Sequence, residues 1–141
     1  MSDADLLQWA TRIALRVYNV DYYHYKEQLN EGVLPHMTKN GWDSMLQSWQ
    51  DNHNLDELRD ERLVVHGTPI GGPVFARSPL LDHGVISWQI EVPIVATFEN
   101  TKGQRKQNLL LKIVVLRAPT TIHPDGLAID ALISEPYTPG A

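Results

Sequence analysis

The spacing of hydrophobic positions changes at about Glu61. Before this point, apolar residues recur every three or four positions, which predicts amphipathic helices. After it, apolar and polar residues alternate, and the longest alternating run extends from Ile86 to Phe98. A period of two over that length predicts a half-buried strand. We therefore expect helices first and one antiparallel sheet afterwards.

Two amphipathic helices are predicted at the start of the chain. The first carries an apolar stripe from Leu6 to Val17, and Ser2 is its predicted N-terminal cap. After a break, Asp21 is a candidate cap for a second helix that ends at Gly32.

A third helix is predicted to begin at 38–41. Its predicted inner face consists of Trp42, Met45, Leu46 and Trp49. A short charged helix over 55–61 follows, and we interpret its acidic and basic side chains as a solvated, self-paired surface.

The remainder of the chain predicts a strongly curved four-stranded antiparallel sheet. The predicted strands begin at Leu63, continue through 86–98 and 105–117, and end with Leu127–Ile133. The first strand is interrupted at 69–73, where glycine and proline predict a bend or bulge. We therefore predict an α+β fold with a single domain over 1–135 and a flexible tail over 136–141.

The two longest strands can be placed in register by parity. A turn at 100–103 would bring Phe98 opposite Arg105. The pairs that follow are Ile94 with Leu109, Val92 with Leu111, Ile90 with Ile113, and Trp88 with Val115. Both apolar sets then share one face of the sheet, as a stable register requires.

The third strand is also apolar on its opposite face, at Leu110, Val114 and Leu116. A strand that is apolar on both faces is typical of a central strand covered twice. Helices can cover one face, so the other must meet a long loop, a ligand or another protein chain. We take Leu110, Val114 and Leu116 as a candidate interface for protein association.

Composition narrows the possible functions. The chain of 141 residues has a net charge of −5, and it carries no cysteine. An acidic chain with scattered basic residues is not typical of nucleic-acid binding. Without cysteine, disulfides and thiolate metal sites are excluded. Motifs for phosphate, dinucleotide, zinc-protease or calcium binding are lacking too, so we expect no cofactor and no metal.

The six histidines of the chain are widely spaced. Asp21 and His24 lie three residues apart and could share a metal or a proton, but a helix cap followed by an exposed histidine is the simpler interpretation. His66 lies in a predicted strand, where we expect a hydrogen-bonded residue rather than a base.

Asp130 is a second candidate for chemistry, because it lies within the last predicted strand. A carboxylate there could act as a general base in a conical pocket. We favour a solvent-facing group, or one paired with a basic residue on the next strand. Trp42, Trp49 and Trp88 are predicted core residues. Tyr22, Tyr23 and Tyr25 either line a pocket mouth or pack their rings onto the sheet.

Helices followed by a curved sheet resemble the cystatin-like roll of nuclear transport factor 2, a fold that hosts isomerases, dehydratases and scaffolds. Five segments narrow the resemblance. They are Thr38-Lys39-Asn40-Gly41-Trp42, Leu63-Val64-Val65, Trp88-Gln89-Ile90-Glu91-Val92-Pro93, Val114-Val115-Leu116-Arg117-Ala118-Pro119-Thr120 and Gly126-Leu127-Ala128-Ile129. The order and spacing of these segments resemble those in the periplasmic domain of the DotI/IcmL family. The resemblance covers about 10–133 and is strongest to the TraM members encoded by conjugative plasmids.

This resemblance implies a structural, non-catalytic component of a type IVB secretion or conjugation machine. It implies an inner-membrane protein with a periplasmic domain and a preceding membrane helix, which this chain lacks. It also implies self-association and association with other inner-membrane components, one of them a shorter relative, without direct contact to nucleic acid.

Two hypotheses therefore stand side by side. The first is an assembly module that uses Leu110, Val114 and Leu116 as its interface. The second is a small isomerase-like or dehydratase-like enzyme, or a ligand-binding protein, that uses the cone between helices and sheet. An open cone beside Asp130 would favour the second hypothesis, and a cone filled by aromatic side chains would favour the first.

Overall fold

A computed structural model describes residues 2–138, and in that range the chain folds as helices followed by an antiparallel sheet. The helices are α1 (Asp3–Val17), α2 (Tyr25–Gly32), α3 (Lys39–Asp51) and α4 (Asn54–Asp60), with a 3-10 helix at Leu34–His36. The strands are β1 (Val64–Pro69), β2 (Val74–Phe75), β3 (Leu80–Asp82), β4 (Val85–Asn100), β5 (Gly103–Arg117) and β6 (Leu127–Pro136).

Helix α1 begins at the predicted cap and buries the predicted stripe. The backbone N–H of Asp5 donates to the hydroxyl of Ser2 at 3.1 Å, and the N–H of Ser2 donates back to the Asp5 carboxylate at 3.3 Å. This reciprocal capping box satisfies N–H groups that the first turn leaves unpaired. The stripe from Leu6 to Val17 lies in the core, so α1 is held by packing as well as by its cap.

Helix α3 is capped by Thr38, whose hydroxyl accepts the N–H of Gly41 at 3.1 Å. Met45 and Trp49 of the predicted inner face are buried, while Trp42 and Leu46 are half-buried at its margin. The inner face is therefore narrower than the sequence predicted. Gly41 makes the closest approach to the sheet, because a Cβ at this position would lie 2.1 Å from the carbonyl oxygen of Ile129.

The sheet confirms the α+β class but contains six strands rather than four. Its order is β1-β4-β5-β6, and β2 and β3 pair with β4 beyond the end of β1. The interrupted first strand of the prediction is therefore three short strands along one side of β4. Gly71 and Gly72 lie in the bend between β1 and β2. Helices α1 and α3 pack on one face of this open sheet.

The predicted register between the long strands is confirmed. Phe98 lies opposite Arg105, and Ile94, Ile90 and Trp88 lie opposite Leu109, Ile113 and Val115. The apolar residues of these pairs are all buried on the helix side of the sheet, while Arg105 is exposed. The parity argument thus identified the core face correctly.

The predicted alternation in the last strand is wrong beyond Ile129. The β5–β6 ladder shifts register between Val114 and Val115, and Asp130 is the extra residue in β6. This β-bulge reverses the parity, so that Leu132 is buried and Ile133 is 45% exposed on the opposite face. A bulge has no period, and the apolar residues on both sides of Asp130 conceal it in the sequence.

The end of the described chain is tied to the sheet. β6 continues to Pro136, and the backbone N–H of Tyr137 donates to the carbonyl oxygen of Asn108 at 3.0 Å. The flexible tail was predicted over 136–141, and its residues 139–141 lie outside the described part of the chain.

Candidate assembly surface

The face of the sheet opposite the helices, here called the reverse face, has an apolar centre. Side chains of β5 on this face are Leu110, Val114 and Leu116, and all three are half-buried. On β6, Ala131 lies beside Val114, and Ile133 lies one row away. The structure thus places the three predicted interface residues on one surface and extends that surface through the bulged strand.

Three charged residues, Glu91, Lys112 and Glu135, lie within this apolar centre. Lys112 on β5 lies between Glu91 of β4 and Ile133 of β6, and its ammonium group reaches diagonally to the carboxylate of Glu135 at 3.0 Å. The hydrogen bond to Glu135, its attraction to the ammonium, and a weaker contribution from Glu91 raise the pKa of Lys112. These three side chains are two carboxylates and one ammonium, an excess of one negative charge.

A shallow groove lies next to Glu91 and Lys112, which form part of its lining. Its volume is about 250 Å³, and its floor includes Val114 and Ala131. Ala76, Gln89 and Ile133 form part of its walls. Because the groove is small and mostly apolar, it has the size for one large hydrophobic side chain rather than for a whole small-molecule substrate.

The outer edge of β6 is closed by hydroxyl groups from α3. The hydroxyl of Ser44 accepts the N–H of Leu132 at 3.0 Å, and the hydroxyl of Ser48 accepts the N–H of Ser134 at the same distance. Further along the strand, Pro136 has no N–H to offer. These donors are therefore not available to an added strand.

The outer edge of β1 is closed as well. The N–H of Val65 donates to the carbonyl oxygen of Val20 at 2.8 Å, and the N–H of Tyr22 donates to the carbonyl oxygen of Leu63 at 3.0 Å. Tyr18 packs against β1 at Gly67, where a Cβ added to the glycine would lie only 2.8 Å from the Cβ of Tyr18. Pro69 ends the strand without an N–H group.

The cone between helices and sheet is filled by aromatic side chains. Trp49, Trp88 and Phe98 are buried, and Trp42 packs against them from the margin. Burial raises the pKa of the Tyr18 phenol to about 12, and a hydrogen bond with Ser134 only partly opposes this. This filling is the arrangement that the assembly hypothesis required and the pocket hypothesis did not.

Asp130 does not face a pocket, and the predicted pairing with a basic residue on the next strand is wrong. Its carboxylate accepts a hydrogen bond from the hydroxyl of Thr38 at 2.6 Å. The same Thr38 caps α3 through Gly41, and its backbone N–H donates to Ile129. Asp130 therefore orients the cap that attaches α3 to the bulge, which is a structural role.

Asp21 and His24 lie together but in a local turn. The Asp21 carboxylate accepts the N–H groups of Tyr23 and His24 at 2.9 and 2.8 Å, and the His24 ring is 3.1 Å away. Although slight burial acts to raise the pKa of Asp21, these hydrogen bonds, first that of the His24 N–H, hold it below its usual value. Within residues 2–138, no group of three histidine or acidic side chains could hold a metal ion.

His66 projects from β1 toward Glu99 of β4, with 3.4 Å between imidazole and carboxylate.

Tyr23 is 77% exposed, so the interpretation of ring packing is wrong for this residue. Tyr22 lines an open groove of about 740 Å³ between the start of β1 and the β4–β5 turn, together with Arg62 and Lys102. Tyr25 packs against the core. The three tyrosines therefore do not act as one cluster.

A junction that the sequence analysis missed joins α1 to the β5–β6 loop. The indole N–H of Trp9 donates to the Asp125 carboxylate at 2.9 Å, and His36 lies 3.5 Å from the same carboxylate. Burial lowers the pKa of His36; Asp125 opposes this shift, and Arg16 and Arg12 add to it. Asp125 stands 116 positions from Trp9, so spacing along the chain gave no signal for their contact.

The chain fits a known class of secretion-machine subunits. Over residues 1–136 it matches the model of the DotI/IcmL family, the type IVb secretion system inner-membrane complex component. The chain belongs to this family. It is therefore a periplasmic domain of an inner-membrane component, and its role in that machine is structural assembly.

Solved structures of related proteins agree. The periplasmic domain of DotI has a TM-score of 0.90 at 26% identity, with 97% of both chains covered. A periplasmic fragment of TraM has a TM-score of 0.88 at 20% identity, covering 96% of this chain and 98% of that one. An IcmL-like type IV secretion system protein of Legionella pneumophila has a TM-score of 0.83 at 20% identity, covering 100% and 97%.

No sequence among the curated proteins matches the chain. Within the part of the chain that the structure describes, none of the helices has the length and apolar character needed to cross a membrane.

Proposed function

We propose that this domain is a non-enzymatic assembly module that joins subunits of the inner-membrane complex through the reverse face of its sheet. The observation that carries the proposal is the half-exposed apolar centre at Leu110, Val114 and Leu116, on a face against which no described helix packs. A soluble domain normally exposes few contiguous apolar patches, and such patches mark contact sites. Self-association of the chain is part of this proposal.

The absence of catalysis is also a proposal. It is supported by the filled cone, in which Trp49, Trp88 and Phe98 leave no room for a substrate, and by the engagement of Asp130 with Thr38. The net charge of −5 supports the proposal that the domain does not contact nucleic acid directly.

The test replaces Val114 by aspartate in the full-length protein and follows its association. A carboxylate placed in a dry interface loses its hydration, so recovery of partner subunits on purification, and the oligomer size of the isolated protein, should both fall. Ile122→Asp is the matched control, because Ile122 is 69% exposed in the β5–β6 loop. Normal complex recovery and unchanged oligomer size for a folded Val114→Asp protein would overturn the proposal.

A further inference from the structure

The apolar surface of the reverse face extends well beyond β5. Five more exposed apolar side chains share this face, as the register with the neighbouring strands shows. They are Ile70, Val74, Leu80, Val85 and Ile133, each between 40% and 54% exposed. Together with the half-buried Leu110, Val114 and Leu116 they form a surface that runs from β2 and β3 across to β6. An exposed apolar surface of this extent marks a contact site.

The size of this surface matches a second folded domain. From Val85 to Pro93 the strand rises about 26 Å, and the axes of the outermost strands lie about 14 Å apart. With side chains the footprint is on the order of 500 Å², and the accessible area of protruding side chains is larger than their flat footprint. The area that a partner would bury therefore approaches the about 800 Å² per partner of a standard stable interface.

One row across the face has a self-complementary order. Val74, Glu91, Lys112 and Ile133 lie side by side on β2, β4, β5 and β6. The order is apolar, acidic, basic, apolar. A half-turn about an axis that runs parallel to the strands between β4 and β5 places Glu91 of one copy over Lys112 of the other, and Val74 over Ile133. Because a two-fold interface repeats every contact, the ion pair and the apolar contact each form twice.

The charges favour this axis over the alternative. An axis perpendicular to the strands would place Glu91 over Glu91, and like charges in a partly dry contact repel. With the parallel axis, the carboxylates of Glu91 and the ammonium groups of Lys112 cancel at the centre. Glu135 lies opposite Leu110 on the outer strand, where its side chain is 47% exposed, so its charge stays in contact with water. Since the Lys112 ammonium has three N–H donors, it can keep its bond to Glu135 and also reach the second copy's Glu91.

We infer that two copies of this domain pack their reverse faces together about a two-fold axis parallel to β4 and β5. The two aligned sheets form a sandwich with a spacing of about 10 Å and a crossing angle of about 30°, and the helices are its outer layers. This inference rests on the proposed function and specifies a second copy as the partner. The alternative arrangement pairs the outer edges of β2 and β3, but these strands have only two and three residues, and short edge strands pair poorly.

The test reverses the two central charges separately. In a homodimer, Glu91→Lys places lysine over lysine, and Lys112→Glu places glutamate over glutamate. We expect each variant alone to weaken dimerisation of the chain by at least ~10-fold in sedimentation equilibrium. An equimolar mixture of the two variants should restore the dimer to within ~3-fold of the parent, because each lysine then faces a glutamate. Since the parent carries a net charge of −5, both variants remain acidic, and general attraction between them cannot explain the recovery.

Two further variants separate the face from the open edge. Val74→Asp lies on the reverse face and should weaken the dimer by at least ~10-fold, because its carboxylate would lose hydration. Leu81 lies opposite Ile86, so its side chain projects to the other side of the sheet, and it is 72% exposed. Leu81→Lys should therefore oppose edge pairing and leave the face dimer within ~3-fold of the parent. Ile122→Asp, in the β5–β6 loop, is the control for an added charge.

Three results would overturn the inference. They are a parent chain whose dimer is weaker than about 1 mM, a mixture of charge variants that fails to restore the dimer, and a dimer that is lost on Leu81→Lys. Recovery of partner subunits by the full-length Val114→Asp protein then distinguishes this inference from the proposed function. Reduced recovery would leave the assembly role standing with a different subunit on the face, whereas intact recovery contradicts the assembly role itself.

Discussion

The hydroxyl of Ser48 on α3 accepts the backbone N–H of Ser134 on β6 at 3.0 Å, although the two residues are 86 positions apart. The Ser134 hydroxyl lies 3.1 Å from the Ser48 hydroxyl and also accepts the side-chain amide of Asn52. Because both serines are buried, these groups have no ready access to water. A side chain of the helix layer thus takes the place that a neighbouring strand would have.

Ser48→Ala should destabilise the domain by about 1–3 kcal/mol, because it leaves a buried N–H without an acceptor. It should also increase aggregation, since the edge of β6 then offers a free donor. Chemical denaturation and light scattering measure the two effects. Ser78→Ala, at an exposed loop position, is the matched control and should change the free energy of unfolding by less than about 0.5 kcal/mol. Equal stability of the two variants would contradict the role of Ser48.

Gly41→Ala should be severely destabilising, by about 3 kcal/mol or more, because its Cβ would lie 2.1 Å from the backbone oxygen of Ile129. Backbone on both sides prevents easy relief, so α3 would have to move away from β6. Gly72→Ala is the control, because no atom lies within 4 Å of its added Cβ. Thermal unfolding of both variants measures the difference, and a Gly41→Ala protein as stable as the parent would show that the helix can shift freely.

Trp9→Phe should cost about 1 kcal/mol beyond the change in packing, because it removes the indole N–H that Asp125 accepts. The Asp125 side chain is 42% exposed, so water can partly replace the bond. Trp42→Phe, at the half-buried margin of the core, is the packing control. Amide hydrogen exchange in the β5–β6 loop should increase only in the Trp9 variant. No local increase there would mean that Asp125 does not hold the loop.

The free energy of unfolding should decrease as the pH falls, because His36 becomes protonated. Burial lowers its pKa in the folded protein, so the unfolded chain binds a proton more readily than the native one. The contribution of the neutral imidazole is complete above the unfolded pKa of about 6.5 and is lost as the pH falls through the folded value. Denaturation at several pH values should show a weaker decline below about pH 6.5 for His36→Gln than for the parent. An identical decline would exclude this site.

The sequence was most informative where the structure is periodic. The helix stripe from Leu6 to Val17, the capping by Ser2, and the pairing of Phe98 with Arg105 all follow from repeating patterns and local chemistry. Because alternation also specifies the opposite face, it places Leu110, Val114 and Leu116 together from the sequence alone.

Features without a period were not predictable in the same way. The bulge at Asp130 adds one residue to one strand, and it moved Ile133 onto the reverse face. The serines that close β6 did carry a weak signal, since Ser44 and Ser48 lie four positions apart beside the buried stripe of α3. Their partners on β6 depend on tertiary contact, as does the junction of Trp9 with Asp125.

The attachment of α3 to β6 also affects the order in which the chain can fold. The N–H of Thr38 donates to the oxygen of Ile129, 91 residues later, so the first turn of α3 remains incomplete until the last strand is present. Because its two residues are so far apart in sequence, this contact forms late and slows the folding of the domain. A chain that reaches the periplasm from its N-terminus would therefore keep α3 undocked from β6 until nearly its whole length has crossed. During that interval the surface of α3 that packs on β6 remains exposed to chaperones and proteases.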